Sequence, residues 1–205
     1  MNSILIGEKY SDILGKSLEK LGFRIIGLPE NKFLDKRLSY HTDMSVLKID
    51  SDMIFLSEFY KNSDLEKRLN LYFKDIRYPE GNQSSCYPSD ALLNISIIGK
   101  YFIYNPKSAD KYITDTLRAF SYKGIAVKQG YTGCSVCAVS NTALITSDMS
   151  VNKACISEGL DVLYIERPVS QLDGFDYGFI GGSCIRLTDK EIGFTGVFTD
   201  SKIKC

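Results

Sequence analysis

Short apolar runs of strand length, broken by tight polar turns, alternate along this chain with stretches whose apolar positions fall at helical spacing. Ser45–Ile49 and Met53–Ser57 flank Asp50-Ser51-Asp52, and Leu92–Ile98 and Tyr101–Tyr104 flank Gly99-Lys100. Ser135–Val139 and Ala143–Thr146 flank Ser140-Asn141-Thr142, and Cys184–Leu187 and Ile192–Thr195 flank Thr188-Asp189-Lys190. Turn-forming residues between β-branched and aromatic runs predict four hairpins. Three of them lead into a helical pattern: Leu65, Leu69 and Tyr72 after Ser63, Ile113, Leu117 and Phe120 after Ser108, and Val151, Ala154 and Cys155 after Ser147 or Ser150. Each set lies on one helical face, and a serine ahead of it can accept a bond from an unpaired N–H of the first turn. Gly159 stands where a left-handed C-terminal cap belongs. A strand is predicted after each helix, at Asp75–Tyr78, Gly124–Lys128 and Asp161–Glu166.

The predicted unit is therefore strand, strand, helix, strand. Its entrances share a tyrosine: Tyr40-His41-Thr42-Asp43, Tyr87-Pro88-Ser89-Asp90, Tyr131-Thr132-Gly133-Cys134 and Tyr177-Gly178-Phe179-Ile180. They recur about every 45 residues, a period that marks a repeat architecture. The same residue in every unit suits a structural, interlocking role better than asymmetric chemistry. The N-terminal stretch fits as a unit without its first strand: Ile4–Gly7, then a helix from Ser11 with Leu14, Leu18 and Leu21, closed by Gly22, then Phe23–Leu28. The last unit has its hairpin and no evident helix. With no Pro- or Ser-rich linker between them, the units predict one domain over residues 1–205, divided near 1–39, 40–86, 87–130, 131–176 and 177–205.

Composition narrows the function classes. Twenty-five basic side chains balance 25 acidic ones, so no broad cationic face for nucleic acid or an anionic membrane is expected. The apolar runs are too short to span a bilayer. The first residues lack a basic and a long apolar segment, which predicts a cytoplasmic protein. The six cysteines are then expected as thiols rather than bridges. Cys134-x-x-Cys137 lacks the second pair that a zinc site needs, so it reads as a structural thiol pair and no metal is expected. Gly178, Gly181 and Gly182 precede a hairpin instead of a helix, which excludes a dinucleotide fingerprint. No cofactor is expected.

Three stretches carry a resemblance to a known family: His41-Thr42-Asp43-Met44, Lys128 through Cys137 (Lys-Gln-Gly-Tyr-Thr-Gly-Cys-Ser-Val-Cys), and Tyr177 through Gly182. With the repeated unit, they resemble the pentein superfamily, the guanidino-group-modifying-enzyme fold, and within it an uncharacterised bacterial family. The resemblance implies an α/β fold: a five-bladed, pseudo-symmetric α/β propeller, with incomplete terminal blades. Blade one would lack a strand and blade five a helix, the chain ending in Val197-Phe198-Thr199-Asp200-Ser201-Lys202-Ile203-Lys204-Cys205. An apolar edge is expected there, which a second copy of the chain would cover as a homodimer.

In a ring of repeats, the residues opening each first strand would converge on one mouth of the channel: His41, Asp43, Asp90, Cys134 and Gly181-Gly182-Ser183-Cys184. A histidine, two carboxylates and thiols are what chemistry on a guanidinium needs. Carboxylates pair with the planar cation, a thiolate attacks its carbon, and a histidine moves protons. By analogy with pentein enzymes, His41 would be the acid/base and Cys184 the nucleophile. Asp43 and Asp90 would bind substrate, with Cys134, Gly181 and Gly182 lining the site. Those enzymes usually carry His-x-Asp in a later unit and a histidine directly before the cysteine, where this chain has Ser183. For His41-x-Asp43 a turn-ordering role stands beside the catalytic one, and for Cys184 a buried inert thiol. Two functions are carried forward. One is a non-catalytic binding module for a small cation or a protein partner; the other is a Cys-dependent hydrolase or transferase of a guanidino or amidino compound.

Overall fold

A computed structural model of the chain describes residues 2–166, 170, 172 and 174–196. It divides into two compact units, the first running to Leu93 and taking in Ser108–Asp115, the second holding Asn94–Lys107 and the chain from Thr116 onward. Residues 197–205, expected to end the chain without a helix, lie outside the described residues.

In the first unit, β1 (Ser3–Gly7) pairs in parallel with β2 (Arg24–Leu28). The predicted helix between them opens as a π turn over Ser11–Gly15 before α1 (Lys16–Lys20), and Ser11 lies inside that turn with no side chain capping it. Three further strands form one sheet: β3 (Val46–Lys48), β4 (Met53–Leu56) and β5 (Asp75–Arg77). β4 runs antiparallel to β3 and parallel to β5. All four residues of β4 are buried, which is why it reads as a continuous apolar run. Between β4 and β5, α2 (Asp64–Leu69) starts where the sequence places it, with Ser63 Oγ accepting from the Glu66 N–H at 3.3 Å. The Glu66 carboxylate reaches back past the cap to the Asn62 N–H, while the Ser63 N–H donates to Tyr60 O at 3.0 Å. Leu65 and Leu69 turn inward onto Leu28, Ile54, Leu56 and Tyr60. Each such side chain contributes about 1.5–3 kcal/mol through its burial. The Tyr60 hydroxyl donates to the Pro29 carbonyl at 2.7 Å, and burial pushes its pKa upward.

The second unit uses the same pairing scheme twice. β6 (Ser96–Ile98), β7 (Tyr101–Tyr104) and β8 (Lys123–Ala126) form one sheet, and β9 (Val136–Ala138), β10 (Ala143–Thr146) and β11 (Asp161–Tyr164) another. In both, the middle strand is antiparallel to the preceding strand and parallel to the following one. Its helices are the four-residue α4 (Thr132–Ser135) and α5 (Met149–Ser157); α3 (Lys111–Ala119) begins in the first unit's Ser108–Asp115 stretch and ends in the second. β12 (Cys184–Arg186) and β13 (Ile192–Phe194) close the described chain as an antiparallel pair. Val151, Cys155 and Leu160 pack with Ile98, Ile103, Ile125 and Leu144 in one buried cluster. Among the described residues no helix is long and apolar enough to cross a membrane.

Local chemistry corrects two predicted caps and one strand. Asp110, not Ser108, accepts from the first turn of α3, its Oδ1 taking the Ile113 N–H at 3.1 Å. Asp148, between the two serines expected to cap α5, is the N-cap: its Oδ1 accepts from the N–H groups of Ser150 at 2.8 Å and Val151 at 3.1 Å. Leu92–Ile95 does not join the predicted strand, because its carbonyls bond elsewhere. Leu92 O accepts from the Asp110 N–H at 3.0 Å, and Asn94 O from the Thr132 hydroxyl at 2.8 Å. Gly159 has φ +80°, as its capping position requires.

Candidate functional site

The predicted site residues fall in both units. In the first, His41 and Asp43 sit at the entrance to β3, in and just before a 3-10 turn over Thr42–Met44. The backbone builds that turn: the His41 N–H donates to Leu38 O at 2.9 Å, Met44 N–H to His41 O at 3.2 Å, and Ser45 N–H to Thr42 O at 3.0 Å. Both side chains are half-buried. Asp90 occupies a second 3-10 turn, Ser89–Ala91, and is only 3% exposed.

Gln83 joins the two acid-bearing turns. Its side-chain amide donates to the Met44 carbonyl at 2.7 Å and to the Asp90 carbonyl at 3.2 Å. Its Oε1 accepts from the Ser57 hydroxyl at 2.6 Å and from Asn31 Nδ2 at 3.2 Å. Asn31, fully buried, also donates to Ser45 Oγ at 3.0 Å and Ser57 Oγ at 3.2 Å. Neither Gln83 nor Asn31 was singled out in the sequence. Both stand in irregular loops, where no apolar period marks an inward-facing residue.

In the second unit, Cys134 lies in α4 and is buried. Asn94 holds it at both ends: Asn94 Oδ1 accepts from the Cys134 N–H at 3.2 Å, and Asn94 Nδ2 donates to Cys134 Sγ at 3.2 Å. Gly181 opens a 3-10 turn, Gly181–Ser183, pressed onto the backbone after Tyr131. A Cβ added there would lie 2.5–2.6 Å from the carbonyl oxygens of Gly133, Cys134 and Val136, so only glycine fits. Gly182 is exposed, and a Cβ there would meet nothing within 4 Å, so it carries no comparable constraint.

Cys184 follows this turn, half-buried at the start of β12, its thiol donating toward Gly181 O at 3.6 Å. It packs against the cluster of Cys137, Ile145, Ile165 and Ile180. The neighbouring Cys184 thiol lowers the Cys137 pKa against the upward push of burial. No disulfide joins the five described cysteines. The Cys-x-x-Cys pair is not self-contained, however, since Cys134 turns to Asn94 and Cys137 to Cys184.

Of the four repeated tyrosines, Tyr177 stacks edge-on to Phe179 at 5.7 Å. Tyr40 and Tyr131 are half-buried. Tyr87 is 50% exposed. An open groove of about 500 Å³ at the start of α5 involves none of the predicted site residues. Of its two acids, Asp148 and Glu166, the first is committed to capping and to a 3.0 Å bond from Gln129. Burial works to raise the Asp148 pKa, and the bonds from Ser150, Val151 and Gln129 more than offset it, leaving it lowered.

Residues 5–205 match the model of a family of unknown function, DUF6873. The chain belongs to that family. No curated protein matches it in sequence. Among solved structures, it is similar to DDAH from Pseudomonas aeruginosa, a cysteine-to-serine mutant complexed with citrulline, with a TM-score of 0.57 and 11% identity over 90% of this chain and 71% of that one. A dimethylarginine dimethylaminohydrolase adduct with S-methyl-L-thiocitrulline gives a TM-score of 0.58 at 11% identity, over the same shares of the two chains. The inosamine-phosphate amidinotransferase of Streptomyces griseus gives 0.55 at 12% identity, over 88% of this chain and 62% of that one. These are pentein enzymes, and the chain shares their α/β fold.

Proposed function

We propose that the chain is a non-catalytic pentein protein that binds a small guanidino or amidino cation, with Asp43 and Asp90 as its anionic contacts and His41 beside them. The observation that carries this reading is the Gln83 amide, which bonds to the backbone of both acid-bearing turns. Their spacing is thus set before a ligand arrives, and a preordered site loses less entropy on binding. A planar guanidinium matches two carboxylates through charge-assisted hydrogen bonds. The similar solved structures include a dimethylarginine dimethylaminohydrolase and an amidinotransferase, which supports this ligand class. We read the small sheets as the blades of one five-bladed α/β propeller, a single domain of five units.

Calorimetric titration with arginine, agmatine and simple amidines tests the proposal. Saturable binding is expected, weakened at least about tenfold, or 1.4 kcal/mol, in Asp43→Asn and Asp90→Asn. Gln83→Ala is expected to weaken it too, by releasing the turns. Absence of binding to every guanidino and amidino compound at about 10 mM, a limit near 3 kcal/mol of affinity, would sink the idea.

A second reading, a Cys-dependent hydrolase or transferase, is favoured by one observation: half-buried Cys184 directly follows the glycine turn. It predicts that a haloacetamidine labels Cys184 well below the ordinary thiol pKa, that ligand protects it, and that His41→Ala slows labelling. Unselective labelling leaves the binding reading in place.

A further inference from the structure

Cys137 and Cys184 come from strands β9 and β12, which lie against each other within the second unit. Their side chains pack in one apolar cluster, and the two differ in access: Cys137 is fully buried, whereas Cys184 is half-buried. An accessible thiol backed by a buried one is the arrangement in which an oxidised sulfur meets a resolving sulfur before further oxidation. No disulfide joins them in this structure. Cys155 offers the contrast in the same unit: it is equally buried, and burial, with the charge of Glu158 adding to it, pushes its pKa up to about 11.

We propose that Cys137 and Cys184 form a reversible disulfide, a modification site that ties the two-stranded β12–β13 hairpin to the three-stranded sheet β9–β11. The oxidant is a peroxide. It reaches Cys184 first and transfers one oxygen to that sulfur, giving a sulfenic acid and one water. The Cys137 sulfur then attacks the Cys184 sulfur, and the S–O bond breaks, releasing a second water. Two thiols lose two hydrogens and two electrons, and the peroxide takes both to end as two waters. A small-molecule or protein dithiol reverses the step by exchange. The inference does not rest on the ligand reading, because it uses neither carboxylate nor bound cation.

The test treats the full chain with a small excess of hydrogen peroxide, blocks remaining thiols with iodoacetamide, and maps peptides without reduction. A Cys137–Cys184 cross-link is expected in the wild type and in Cys134→Ser, reversed by dithiothreitol. The free-thiol count should fall by two, and Cys184 alkylation should slow at least about tenfold. The cross-link should also raise Tm by about 5 °C, since it closes a long loop. Cys184 recovered as sulfinic acid with Cys137 still a thiol would overturn the proposal, and so would a cross-link from Cys184 to Cys86 or Cys134. The wild-type map decides this even if Cys137→Ser does not fold. A chain that cross-links and binds no guanidino compound keeps the disulfide and loses the ligand reading; one that binds and never cross-links does the reverse.

Discussion

Asn31 in the first unit and Asn94 in the second are both buried beside a strand entrance, yet they hold it in different ways. Asn31 spreads its amide over three separate segments, reaching Ser45, Ser57 and Gln83, and its Oδ1 accepts the Phe33 N–H at 3.0 Å. Asn94 takes the Cys134 N–H and donates to the Cys134 sulfur. The first arrangement is built of oxygen acceptors on three segments. The second grips both ends of one residue 40 positions away and ends on sulfur, a weak acceptor. Networks that cross several segments fix a turn from several sides, whereas a two-point clasp orients one residue.

The largest expected effect follows from that difference. Asn31→Ala should destabilise by about 2–4 kcal/mol, because it removes the amide that two buried hydroxyls and the half-buried Gln83 share. Asn94→Ala should cost about 1–2 kcal/mol, because sulfur loses less. Urea midpoints measure both, and equal losses would erase the distinction between the two asparagines.

A pH series sharpens the role of thiols in the second unit. Burial raises Cys155 from its ordinary 9.0 to about 11, so the folded chain keeps the proton where the unfolded chain releases it. The contribution is fully present below about pH 9 and is lost as pH rises toward 11. Between pH 8.5 and 10.5 the wild type should lose about 2 kcal/mol more stability than Cys155→Ala. Parallel curves for the two proteins would mean that Cys155 ionises freely in the folded state.

Much of the fold was legible because it rests on period and punctuation. Met53–Leu56 is apolar throughout and is a central strand buried along its length. Ser63 sits directly before Asp64 and caps as predicted. The two misplaced caps show the resolution of such signals: Asp148 lies between the two serines named as caps and was itself passed over. The site was legible only as residue types. His41, Asp43 and Asp90 stood at recurring entrances, but Gln83, which ties their turns, lies in a loop without period. The spacing Cys134-x-x-Cys137 pointed to a local thiol pair, while folding gives Cys137 a partner from β12. Local sequence shows which side chains are near along the chain, and only strand packing brings Cys184 to Cys137.

The smallest effect is also the most direct test of the clasp between Asn94 and Cys134. In Cys134→Ser, the acceptor for Asn94 Nδ2 becomes a hydroxyl, a stronger acceptor with a shorter preferred distance than the present 3.2 Å to sulfur. The gain in hydrogen bonding opposes the loss of a larger, more apolar atom from a buried position, and these terms are of similar size. The net change should therefore stay within about 1 kcal/mol, with the Asn94 to Cys134 backbone bond retained. Cys134→Ala removes the acceptor altogether and should cost about 1–2 kcal/mol more than Cys134→Ser. If serine and alanine instead destabilise equally, Asn94 is holding the Cys134 backbone alone, and the sulfur bond contributes nothing to the entrance it closes.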